Sequence, residues 1–420
     1  MGTAGLCLIA MLAWPSGAGA SSPDSQKPIR IHVLTVGPGE GLFTRFGHIA
    51  LVVEDHRGRA LVYNYGTFGF DDPALLLTYA RGRLTFWLSR SSLSRSLRLY
   101  REEDRAVTLR YLDLDPEQAH ELARRLATNA QPANRDYAYK HYLDNCCTRV
   151  RDLLDEITGR ALSTGRNAEP TGRTYRDWTA ACLDGLPVLR SMILFVLGPA
   201  IDKPITRWDE QFLPEVLVAD LDQIRLEPDG RTMVSARRVL SERKAPPVHT
   251  YVPIADWLVM IVFFSVLGAG LILPLAVGAK RWSRRLCGLG LLGWGLVGGL
   301  GGLALLLFWT ATEHLDTHCN ENLLLFPCTH LWLLGPGFAL LCRARLKEGT
   351  ARVIAWYLLG CLVLVGLDVA LKLGPFIQRN WGFLLFAAAC HLAALLSVQR
   401  AVRARPMPVE PEDPDGAVSA

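Results

Sequence analysis

From about residue 252 onward the chain is dominated by long apolar runs, and these restrict what it can fold into. Five runs, at about 252–278, 286–309, 325–342, 353–373 and 380–398, each come near the roughly 20 residues that an α-helix needs to cross a bilayer. Basic residues alternate with them. Lys280, Arg281, Arg284 and Arg285 follow the first run; Arg343, Arg345, Lys347 and Arg352 lie between the third and fourth; Arg400, Arg403 and Arg405 follow the fifth. Thr310 to His330 holds no Lys or Arg. The positive-inside rule then puts the basic loops in the cytoplasm and residues 27–245 on the outer side. The formal charge of +5 sits largely beside the runs, so it speaks for membrane topology and not for a nucleic-acid partner.

The first residues agree with that orientation. Leu6 to Trp14 is a short apolar stretch and Ala18-Gly19-Ala20 fits a small-x-small cleavage site, so 1–20 reads as a signal peptide although its start lacks Lys or Arg. An N-terminal anchor is the alternative, with the same outer placement. The expected parts are 1–20 signal peptide, 27–245 extracytoplasmic domain, 252–398 transmembrane domain and 406–420 a disordered, Pro- and acid-rich cytoplasmic tail. Glu313, His314, Asp316 and His318 lie in an outer loop whose spacing matches no standard zinc pattern; a solvated loop is expected, and Cys319 and Cys328 are placed for a local disulfide. Asp368 lies inside the fourth run, where an ionisable group is costly and marks either function or a packed partner.

Within 27–245, β-branched alternation over Ile29 to Gly37 predicts a strand, as do His48 to Val53 and Ala60 to Tyr65, with Asp55-His56-Arg57-Gly58 as a turn. Arg83 to Leu88 and Ala106 to Leu112 are further strands, and Pro116 to Ala130 a helix with Pro at its start. A hairpin centred near His56 sets His48 opposite Asn64, where an Asn can orient an imidazole. A one-residue slip would separate them.

Of ten cysteines, only Cys146, Cys147 and Cys182 fall in this domain. Adjacent cysteines rarely bridge each other, so a free thiol is expected in an oxidising compartment, and catalysis is one reason for it. Asn145 to Thr158 predicts a helix capped by Asp144 or Asn145. Val150, Leu153, Leu154 and Ile157 form its apolar stripe. Counting back at about 100° per residue puts Cys146 on that stripe and Cys147 to the side. A cysteine at a helix N-terminus gains thiolate character, and the same terminus offers backbone N–H groups as an oxyanion hole. His48 as base and Cys146 as nucleophile are thus the candidate pair; a core His and a core Cys are the plain alternative.

The segments Phe46-Gly47-His48-Ile49-Ala50, Val62-Tyr63-Asn64-Tyr65-Gly66-Thr67-Phe68 and Asp144-Asn145-Cys146-Cys147-Thr148-Arg149-Val150-Arg151-Asp152 resemble the N-terminal periplasmic domain of the Lnb family of lipoprotein intramolecular transacylases. The stretch from Leu197 through Asp202, Thr206, Trp208 and Phe212 to Pro214 is similar to that family as well. The resemblance covers about 30–240. It implies an α+β papain-like fold, permuted so that the His strand precedes the Cys helix, followed by an all-α transmembrane domain of about five helices. It carries over His48 as base and Cys146 as nucleophile. Asn64 joins them by register, and Asn145, Arg149, Tyr63 and Tyr65 in the same motifs are the candidate substrate contacts. Relatives usually have Ser or Thr after the nucleophile; Cys147 stands there in this chain, which puts the choice of cysteine in question and points to redox sensitivity.

The expected function is a membrane-bound, cysteine-dependent acyltransferase of the bacterial inner membrane, acting outside the cytoplasm on lipid-ester or lipoprotein substrates. No cofactor or metal is called for. A cell-wall peptide amidase or peptidase using the same dyad, and a non-catalytic membrane-anchored binding module, are the alternatives.

Overall fold

The computed structural model describes residues 27–69, 78, 81–83, 85–248, 253–277, 280–343 and 345–403. The expected signal peptide at 1–20 and tail at 406–420 lie outside the described residues.

Seven strands form one antiparallel sheet. They are β1 (Arg30–Val36), β2 (His48–Glu54), β3 (Ala60–Thr67), β4 (Thr85–Ser92), β5 (Val107–Leu112), β6 (Asp136–Ala138) and β7 (Val234–Ser241), in the order β7-β5-β1-β2-β3-β4-β6. The β2–β3 turn follows from its residues. Asp55 Oδ1 accepts the Arg57 and Arg59 N–H groups, each at 2.9 Å, and Gly58 takes φ +74°.

Both faces of the sheet are covered, which is why the strands read as near-continuous apolar runs. Ile31, Val33, Ile49, Leu51 and Tyr63 pack against α2 (Pro116–Asn129), α3 (Cys146–Ile157) and α6 (Pro214–Leu221). Leu34, Ala50, Val52 and Val62 point the other way, onto Leu93, Leu97 and Tyr100 of α1 (Leu93–Glu102). The predicted Arg83 strand begins only at Thr85, because residues 81–83 turn through Gly82 at φ +74°.

Among the described residues, five helices are long and apolar enough to cross a membrane: Ile254–Ala276, Arg281–Ala311, Asn322–Arg343, Glu348–Leu371 and Trp381–Ala401. The third is broken at Pro327, which has no N–H to continue the ladder; a 3-10 turn, Cys328–Leu333, bridges to the helix Leu334–Arg343. Asp368 in the fourth is fully buried, with Lys372 Nζ at 3.8 Å.

The outer loop is not the solvated loop expected. It caps the soluble domain. Helix α5 (Pro187–Val196) ends beside the membrane half, and its last carbonyls have no intrahelical partner. Asn320 donates to Phe195 O and Val196 O at 3.0 and 2.9 Å, Asn322 to Phe195 O at 2.9 Å, and Gln378 to Leu197 O at 3.1 Å. Arg176, on α4 (Tyr175–Cys182), supplies the rest through Leu194 O and Leu197 O, while paired with Asp202 at 2.8 Å. Asn320 and Asn322 are buried for this reason, and Glu321 beside them is buried with its carboxylate on Lys372 Nζ and the Ile377 and Gln378 N–H groups. Cys319 and Cys328 are free thiols and form no disulfide.

Candidate active site

Cys146 is the first residue of α3. Asn145 sets this helix start. Its Oδ1 accepts the Cys147 and Thr148 N–H groups at 2.8 and 3.0 Å, and its Nδ2 donates to His141 O and Phe212 O at 2.8 and 2.9 Å. An amide side chain has that capacity and no more. Asn145 therefore holds the helix in place and has no side-chain group left for a substrate, contrary to the expectation of a substrate contact. The Cys147 and Thr148 amides are also claimed, which leaves Cys146's own N–H as the first-turn amide for an incoming oxyanion.

The thiol meets His48 because the sheet opens. The β2–β3 ladder runs from Glu54↔Ala60 to Leu51↔Tyr63 and stops there. By alternation His48 and Asn64 belong to the α1 face, opposite α3. At the open end Gly66 takes φ +86°, and a Cβ built on it would lie 3.8 Å from Cys146 Cβ. His48 and the Ile49 backbone N–H lie close enough there to lower the thiol's pKa.

The register differs from the expected one. Extended past its last pair, the ladder sets His48 across from Gly66, so Asn64 is its diagonal neighbour. The offset of two keeps both on one face. Asn64 Oδ1 is 3.2 Å from His48 Nε2 and also accepts the Tyr100 hydroxyl at 3.2 Å. An amide oxygen only accepts, so Nε2 carries its proton and Nδ1 is the nitrogen that can take another.

A hydrogen bond from Cys147 holds the Cys146 thiol well below the ordinary cysteine range; burial opposes it, and the charge and hydrogen bond of His48 and the Ile49 backbone N–H add to the lowering. Cys147 does not point aside as expected. It is fully buried in the core with Val150 and Leu154, because the buried face of α3 is rotated toward Cys147, Arg151 and Asp155. Burial, together with its bond to Cys146, pushes its own thiol well up.

Tyr63 and Tyr65 are core residues, 5% and 3% exposed, and the Tyr65 hydroxyl accepts from Asn129 at 3.0 Å. Of the four expected substrate contacts, Arg149 alone is not buried in the core; it is half-buried. Its side chain forks onto the Asp144 carboxylate, with Nη2 at 2.7 Å from Oδ2, and lies over the Tyr137 ring at 4.2 Å.

Several site residues carried no signal in the motifs. Tyr100 comes from α1, where Ser92 as cap and apolar residues at 93, 97 and 100 give a readable helix pattern. Tyr137 and His141 enter through the short segment before α3. Burial pushes the His141 imidazole down to about 4, and its Nε2 is buried without a partner among the described residues. The Asp316 carboxylate of the outer loop lies within electrostatic range of Lys140 and Tyr142 in the segment leading into Cys146.

Among the described residues, one group has metal-ligand types. His330, Cys361 and His391 lie in the membrane half with ligand atoms within 4.8 Å. Both ring nitrogens of His391 are engaged, by Trp294 at 3.2 Å and Leu325 O at 3.1 Å, and His330 Nδ1 meets the Tyr357 hydroxyl at 2.8 Å, while His330 Nε2 has no partner among the described residues.

Fold and site together define a multi-pass membrane protein with a seven-stranded α/β domain outside the bilayer. Residues 24–181 match the family model of the Lnb N-terminal periplasmic domain. The protein is accordingly a multi-pass inner-membrane protein with its N-terminal domain in the periplasm. No curated protein and no solved structure matches the chain.

Proposed function

We propose that this protein is a thiol acyltransferase of permuted papain-like type, acting at the periplasmic face on an ester of a membrane lipid or lipoprotein. The observation that carries this reading is the contact of His48 with a depressed-pKa thiol at a helix N-terminus. The order of elements, His strand before Cys helix, supports the permuted fold.

In the first half-reaction the Cys146 thiolate, its proton on His48, adds to the ester carbonyl carbon. The C–S bond forms and the carbonyl π pair moves onto oxygen. Collapse breaks the C–O bond, and the leaving alkoxide takes the proton from His48. In the second, an amine nitrogen adds to the thioester, His48 accepts its proton, and the thiolate leaves. The bond from Gly198 N–H to the Asp316 carbonyl, which joins the soluble domain to the outer loop, supports a substrate arriving at the membrane side. The domain limits 27–245 and 252–398 follow from the same reading.

The test is the pH dependence of Cys146 alkylation by a membrane-impermeant thiol reagent on spheroplasts. Fast labelling below pH ~7 that is lost in His48→Ala is expected, since an unperturbed thiol has a pKa near ~8.5. Slow labelling with an ordinary midpoint, unchanged in His48→Ala, would end the catalytic reading.

A further inference from the structure

Tyr137, on β6, is nine-tenths buried, and its hydroxyl has no hydrogen-bond partner among the described residues. A buried phenol without a partner costs roughly 1–3 kcal/mol and calls for an explanation. Its position supplies one. A Cβ built on Gly66 would lie 3.8 Å from Cys146 Cβ and 3.9 Å from Tyr137 Oη. The absent side chain of Gly66 thus leaves a space bounded by the thiol's β-carbon on one side and the phenol on the other. The Gly66 amide approaches the phenol as a donor, so the O–H proton still has no acceptor. Burial and the nearby Cys146 charge push the phenol's ionisation well up, so it stays protonated. Arg149 over its ring fixes the side chain.

We propose that Tyr137 is a catalytic residue whose hydroxyl, with the Cys146 backbone N–H, forms the oxyanion hole for an ester carbonyl seated against Gly66. This rests on the acyl-transfer reading above. When the thiolate adds, the oxygen that receives the π pair accepts both hydrogen bonds; Tyr137 keeps its proton throughout. A neutral ester carbonyl accepts more weakly than the oxyanion, so the orphaned donor acts where charge develops.

The experiment compares two reactions of full-length protein in detergent: alkylation of Cys146 by iodoacetamide, which forms no oxyanion, and its acylation by a p-nitrophenyl ester, which does. In Tyr137→Phe, alkylation should stay within about twofold of wild type while acylation falls by ~10²-fold or more, the usual effect of removing one oxyanion donor. Equal acylation of Tyr137→Phe and wild type overturns the assignment. Wild-type protein that neither alkylates rapidly nor acylates overturns both the acyl-transfer reading and this one. If Tyr137→Phe loses both reactions through misfolding, 3,5-difluorotyrosine at 137 decides. Its more acidic phenol should add an alkaline limb to the acylation profile and not to alkylation, and identical profiles refute the role.

Discussion

His48 and Asn64 are diagonal neighbours across β2 and β3, and their side chains still meet, Nε2 to Oδ1, at 3.2 Å. The imidazole is held through one oxygen that also receives Tyr100. Replacing Asn64 by Leu removes that acceptor from both. A hydrogen bond of this kind contributes about 1–2 kcal/mol, or roughly tenfold in rate. We expect kcat/KM to fall by about 5- to 30-fold in Asn64→Leu and less than about threefold in Tyr100→Phe. Equal activity of Asn64→Leu and wild type would mean that His48 needs no partner.

Cys147 acts as a donor to Cys146. A donor stabilises the thiolate, so its removal raises the Cys146 pKa and shifts alkylation to higher pH. Cys147→Ala should label several-fold more slowly near pH ~6, whereas Cys147→Ser, which keeps a donor, should stay closer to wild type. Labelling of both variants at the wild-type rate would remove Cys147 from the activation of its neighbour.

Gly66 takes φ +86° with Cys146 Cβ at van der Waals distance from any added methyl. Gly66→Ala costs about 1–2 kcal/mol in backbone strain and fills the space before the thiol. Acylation by a p-nitrophenyl ester should fall at least about tenfold, more than stability alone explains. An alanine variant with unimpaired acylation would show that the substrate carbonyl sits elsewhere.

Arg176 and Asp202 form a buried pair, 7% and 0% exposed at their side chains, with the guanidinium also serving the carbonyls of Leu194 and Leu197. Removing one partner leaves an uncompensated charge. Asp202→Ala should destabilise the soluble domain by about 3–5 kcal/mol, read as a lowered Tm of the purified protein. Arg176→Met with Asp202→Leu should lose much less. A Tm unchanged in Asp202→Ala would show that the site hydrates.

The parts legible in the sequence were those set by periodic, local signals. Each membrane run is long and apolar enough to be read directly, but the break at Pro327 depends on Gly302, in the span before, admitting the Phe326–Pro327 backbone. β2, β3 and α3 were readable from alternation, turn residues and the Asn145 cap. β6 has three residues and β7 is an exposed edge strand, so neither presents a pattern. The register was misjudged because Gly58 extends the turn, and an offset of two returned Asn64 to the right face. The burial of Cys147 depends on how α3 rolls against the sheet, which periodicity within the helix does not determine. Asn320, Asn322 and Gln378 could not be recognised as caps, since the helix they cap is more than a hundred residues away.

The caps on α5 also restrict where the thiol can work. Its terminal carbonyls are bonded by side chains that belong to the membrane helices and their outer loops, and Arg83–Glu313 and Arg379–Asp177 pin two further points, at 2.7 and 2.6 Å. For the proposed acyl transfer, these ties would hold the Cys146 thiol at one altitude over the lipid surface, so that partners would be selected by how far their reactive bond stands out of the membrane before any pocket recognises them.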